Sequence, residues 1–108
     1  SFTGCSKDDD EFKLAGSTWV WEQNIGSESV SITIKFTTDL DAVYTYRYSD
    51  GSYVDSETSR YTYMYEEPYV EFYPEEEGDA VLRGLINGSV MEVTNKSNNR
   101  NIGTFTRQ

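Results

Sequence analysis

The side chains that could do chemistry are unevenly supplied: nine tyrosines, nineteen acidic residues, one cysteine and no histidine. Without histidine the chain lacks the commonest general base, the usual activator of a nucleophile and the commonest nitrogen ligand for zinc. A carboxylate pair of the glycosidase kind is still available in principle, and Glu57, Glu66, Glu67, Glu71 and Asp79 could supply it. No spacing sets two of them apart, and carboxylates in so acidic a chain mostly face water. A non-catalytic protein is expected. Glu75-Glu76-Glu77-Gly78-Asp79 and Asp39-Leu40-Asp41 offer the hard oxygen ligands that calcium takes. Neither follows a calcium-loop pattern, so no metal site and no cofactor are expected.

The tyrosines carry the sharper signal. Tyr44, Tyr46 and Tyr48 recur at every second position, and so do Tyr61, Tyr63 and Tyr65. On a strand each triplet falls on one face. On neighbouring antiparallel strands the two triplets would stand side by side as a two-column aromatic sheet. If that face lines a barrel, its hydroxyls make an amphipathic interior suited to a small polar-aromatic ligand. If it faces outward, it is a platform for sugar rings or a partner protein. The plainer alternative is that cross-strand tyrosine pairs stabilise a hairpin and fill the core.

The elements that must position these residues are strands. Val30, Ile32, Ile34 and Phe36 point one way and Ser31, Thr33 and Lys35 the other, the pattern of a strand with one face on a core. Trp19 and Trp21 share a face near the start. A long strand is expected over residues 53–65, irregular around Ser56-Glu57, and Pro68 ends it because proline cannot donate to a central ladder. Val70 and Phe72, then Met91 and Val93, then Phe105 are expected to face inward. Asp50-Gly51 and Asn87-Gly88 read as tight turns. Asn87-Gly88-Ser89 and Asn95-Lys96-Ser97 also match glycosylation acceptors but are read as turn chemistry. The result is about eight short strands with short connections, an all-β domain over residues 13–108. A small antiparallel up-and-down barrel hides every edge and is preferred to a β-sandwich.

Charge narrows the partners. A net charge of -10 and a pI near 4.3 repel phosphate backbones and anionic headgroups, so nucleic acid is not an expected partner. No stretch approaches the roughly 20 apolar residues of a spanning helix. Any membrane attachment must come from elsewhere, and Cys5 supplies it. The small residues Thr3 and Gly4 directly before Cys5 resemble the end of a bacterial lipoprotein signal peptide, in which cleavage precedes the lipidated cysteine. Ser6-Lys7-Asp8-Asp9-Asp10-Glu11 has no apolar side chain to bury and is expected to be a disordered tether. It resembles the tethers of Bacteroidetes lipoproteins that reach the outer face of the outer membrane. Residues 1–4 are then a signal-peptide remnant and residues 5–12 the lipidated cysteine with its acidic tether.

A second resemblance covers most of residues 14–107. Leu14-x-Gly16-x-x-Trp19, Gly84-x-Ile86-Asn87-Gly88-x-x-Met91 and Gly103-x-Phe105 look like the small lipocalin-like (calycin-like) lipoproteins of Bacteroidetes. The resemblance implies a barrel and an envelope location, at the cell surface or on the periplasmic face. It transfers no catalytic residue. The expectation is a lipid-anchored envelope protein whose barrel binds a small ligand, a glycan or an envelope protein. A structural or assembly role, docking onto another envelope protein, is the alternative, and a carboxylate hydrolase the third reading.

Overall fold

The computed structural model describes residues 13–108. Cys5, the residues before it and the acidic segment after it lie outside the described residues. The strands are β1 (Thr18–Ile25), β2 (Glu28–Phe36), β3 (Asp41–Ser49), β4 (Val54–Glu66), β5 (Tyr69–Pro74), β6 (Leu82–Asn87), β7 (Val90–Asn95) and β8 (Arg100–Arg107). Each pairs antiparallel with the next, and β8 returns to β1. The domain is a closed eight-stranded up-and-down barrel, not a sandwich.

The alternation that marks the strands also decides what they bury. Ile32, Ile34 and Phe36 lie inside while Lys35 between them is exposed. Val70, Phe72, Met91, Val93 and Phe105 are inside as expected. Trp19, Phe36, Phe72 and Phe105 fill the waist, each no more than 1% exposed. Phe36 meets Tyr63 edge-on at 4.8 Å and Phe72 at 5.7 Å between ring centres. An eight-stranded barrel holds little more than its own side chains, and four aromatic rings use that volume.

Two glycines make this packing possible. A methyl group at Gly84 would sit 2.7 Å from the sulfur of Met91, and one at Gly103 would sit 2.5 Å from the Trp21 indole. The glycines of the late sequence motifs therefore give space to large neighbours across the sheet. The early motif is a plug. Leu14 folds over one end of the barrel, where its carbonyl accepts from the Ser17 amide (2.9 Å) and hydroxyl (2.6 Å). The Trp19 indole N–H donates to the Ser17 hydroxyl at 2.9 Å, which satisfies the polar edge of a fully buried ring.

Two connections use the same device. Gly26-Ser27 joins β1 to β2 and Gly88-Ser89 joins β6 to β7, with Gly26 at φ +60° and Gly88 at φ +66°. A glycine at the first central position with positive φ is what a type II′ hairpin turn requires. Asn87, read from sequence as half of the turn, is the last residue of β6. Proline behaves as expected at the β4–β5 turn, where Pro68 donates nothing but its carbonyl accepts from Ile86 at 2.8 Å.

Strand lengths decide the shape of the other end. In β4, residues 54–60 pair with β3 alone, Tyr61 and Thr62 pair on both sides, and residues 63–66 pair with β5 alone. In β1, residues 18–25 all pair with β2, but only Trp19 and Val20 pair with β8. The first four strands thus overshoot the last four and project as a ribbon, with residues 21–25 and 54–60 as its two edges. The irregularity expected at Ser56-Glu57 does not occur, because the ladder runs unbroken from Val54 to Thr62. Among the described residues the one register shift lies in β7–β8, where Ile102 is the extra residue of a bulge.

Candidate functional site

The inner face of the ribbon is built in cross-strand rows. Trp19, Ile34, Tyr44 and Ser59 form one row, Trp21, Ile32, Tyr46 and Glu57 the next, and Gln23, Val30, Tyr48 and Asp55 the outermost. The rows pass from a buried indole to an exposed carboxylate as the barrel wall is lost. The two tyrosine triplets therefore share a face without standing side by side. Tyr44 lies opposite Ser59, Tyr46 opposite Glu57 and Tyr48 opposite Asp55, while Tyr61 lies opposite Ala42. One contact joins the triplets, Tyr44 to Tyr61, at 6.0 Å and 57°.

The offset spreads the six tyrosines over three places. Tyr63 packs in the waist and donates its hydroxyl to the Thr38 carbonyl at 2.7 Å. Tyr65 stands at the plugged end, beside Leu14, Trp19 and Arg107, against a hollow of about 250 Å³. Tyr48 lies on the ribbon beyond the barrel, packed on Tyr53 at 6.4 Å. Tyr44, Tyr46 and Tyr61 line a larger cavity of about 340 Å³ at the open end. Its floor is Leu82 and Ile102, and its rim carries Glu57 from β4 and Asp79 from the β5–β6 loop.

The mouth leaves polar groups unanswered. Tyr61 is only 5% exposed, and among the described residues its hydroxyl makes no hydrogen bond. Burial pushes the Tyr61 phenol up to about 12, and the nearby Asp79 carboxylate and Tyr44 push in the same direction. Tyr44 is raised for the same first reason, burial, with Tyr46 adding to it. Tyr63 also reaches about 12 through burial, then through Asp39 and Asp41. These phenols stay protonated and can both donate and accept. Asn95 reaches the mouth too, but its side-chain oxygen is engaged by the Ser97 amide at 2.8 Å in an Asx turn.

The five carboxylates singled out by type separate in space. Glu57 and Asp79 line the same mouth, and both are exposed. Glu67 belongs to the plugged end. Glu71 faces outward from β5 and pairs with Arg83 and with Lys96, the latter at 3.0 Å. Burial opposes its charge, but the hydrogen bonds from Arg83 and Lys96 outweigh that and hold the Glu71 carboxyl below its usual range. Among the described residues no three acidic or cysteine side chains gather as a metal-binding group. Ser59, Asn95 and Ile102 are mouth residues that sequence reasoning passed over. The pivot of the β3–β4 hairpin at Gly51-Ser52 was the signal that could have placed Ser59 opposite Tyr44.

The outer face of β4–β6 has a different character. Tyr69 and Leu85 are direct cross-strand neighbours, and Met64 lies diagonally beside them; all three are exposed. The Arg83 guanidinium covers the Tyr69 ring at 5.1 Å. No protein-family model, curated protein or solved structure matches this chain.

Proposed function

We propose that the chain is a membrane-anchored bacterial envelope lipoprotein whose barrel is a non-catalytic module that binds a small ligand at its open end. The observation that carries the binding half is the cavity of about 340 Å³ lined by Tyr44, Tyr46 and Tyr61. It falls within the lower range of small-molecule pockets, with an apolar floor and a few convergent polar groups. The waist, packed with aromatic side chains, holds the mouth in shape rather than holding a ligand. The anchoring half rests on Thr3-Gly4-Cys5 and the acidic residues that follow. Acyl chains on Cys5 would supply the membrane affinity, and the acidic segment would keep the barrel off the bilayer. The resemblance to Bacteroidetes lipoproteins favours the outer membrane and the cell surface.

A small-molecule screen by thermal shift tests the binding half when Ala80→Trp is run in parallel. Ala80 lines the mouth half-buried, and an indole there would fill it. Hits that stabilise the wild type and not the variant support the reading, and hits indifferent to the variant oppose it. Fatty-acid labelling in a Bacteroidetes host tests the anchor, because Cys5→Ser should abolish incorporation. The docking alternative has its own surface, the exposed Met64, Tyr69 and Leu85. Under that alternative Tyr69→Ser with Leu85→Ser abolishes the biological role while the mouth still binds. A hydrolase would use Glu57 and Asp79, the two carboxylates that share the mouth, and Glu57→Gln with Asp79→Asn would then abolish any hydrolytic activity.

A further inference from the structure

The mouth discriminates between classes of ligand. Its two rim carboxylates, Glu57 and Asp79, have no ion-pair partner among the described residues, and no Lys or Arg lines the cavity. Beneath them Tyr61, only 5% exposed, lines the cavity, and its hydroxyl has no hydrogen bond among the described residues. A buried phenol without a partner is costly, so a group that hydrogen-bonds there gains more than it would in water. The rings of Tyr44 and Tyr61 meet at 57°, forming a corner and not a platform. A sugar ring stacks best on a flat face, whereas a cation is attracted to π faces from several directions. An anion would meet two carboxylates inside a protein of net charge -10.

We propose that the open mouth binds an organic ammonium ion, seated against Tyr44, Tyr46 and Tyr61 and neutralised by Glu57 and Asp79. This rests on the ligand-binding reading above and gives it a chemical class. The N–H groups of a primary amine, or the polarised methyl groups of a quaternary one, face the tyrosine corner. The carboxylates supply the charge. The apolar remainder of the ligand rests on Leu82 and Ile102.

The test is NMR titration of the full chain with choline, tyramine and cadaverine, each beside a neutral isostere such as 3,3-dimethylbutan-1-ol for choline. The expected result is saturable shifts at Tyr44, Tyr46 and Tyr61 with at least one cation. Its isostere should bind at least tenfold more weakly, and affinity should fall as salt is added. Glu57→Gln combined with Asp79→Asn should cost a further tenfold or more while leaving the spectrum folded, because both side chains are exposed. Neutral or anionic compounds binding the mouth as tightly as the cations would overturn the ammonium assignment and leave the ligand-binding reading standing. Cations that shift only the Glu75–Glu77 loop would also overturn it. No shift at the mouth with any compound, in this panel or in a wider screen, would overturn both.

Discussion

The same four strands make two very different structures along their length. Where β5–β8 complete the wall, their inner residues are Trp19, Phe36, Ala42 and Tyr63, all buried. A few residues further on, the same strands present Gln23, Tyr48, Asp55 and Glu57, none of them buried. Secondary structure and residue alternation do not change between the two halves. What changes is whether β5–β8 are there to close the wall across from them: β2 and β3 stay paired on both sides throughout, while β1 and β4 lose their outer partners. Closure, not strand formation, therefore decides which tyrosine is structural and which is available to a ligand.

Breaking the closed half should have the largest effect. Phe36→Ala or Phe72→Ala should cost about 3–5 kcal/mol in urea unfolding, since each empties part of the waist. Tyr48→Ala on the ribbon should cost well under half of that, and equal costs would erase the distinction drawn here. Gly103→Val probes the boundary between the halves, where the Trp21 indole occupies the space a side chain would need. Overpacking there should destabilise by about 1–3 kcal/mol, with a change in Trp fluorescence as the indole is displaced.

Alkaline titration sharpens the comparison. Tyr61 and Tyr63 ionise at about 12 in the folded barrel against an ordinary 10.0. The folded state keeps their protons where the unfolded chain has lost them. Their contribution to stability is therefore complete below pH 10 and disappears as pH rises from about 10 to about 12. In absorbance titrations, Tyr61→Phe and Tyr63→Phe should each remove one late-ionising phenol. The smallest effect belongs to the outer face. Glu71→Gln breaks an exposed pair of salt bridges and should cost about 0–1 kcal/mol, with no change at the mouth.

Much of this was legible in the sequence. The alternation of Val30, Ile32, Ile34 and Phe36 gave both strand and face, and the placement of Val70, Phe72, Met91, Val93 and Phe105 followed in the same way. Register was harder, because a period of two says which way a side chain points and not what stands opposite it. That is why the two tyrosine triplets read as columns, although a hairpin pivoting on Gly51-Ser52 must set Tyr44 opposite Ser59. Gly26-Ser27 was a readable turn signal of the same kind as Gly88-Ser89. The mouth itself was not legible, since it brings together the β4 residue Glu57, the loop residue Asp79 and the bulged Ile102. Their meeting depends on the unequal strand lengths, a property of the closed sheet and of no local segment.

The most direct test of the account is NMR of ring-labelled tyrosines in the full chain, recorded while small-molecule mixtures of every charge class are added. Shifts are expected at Tyr44, Tyr46 and Tyr61 with Tyr63 unmoved, because ligand enters the open mouth and the waist is closed to it. Shifts confined to Tyr69 and Tyr73 on the outer wall, or none at any tyrosine, would contradict it.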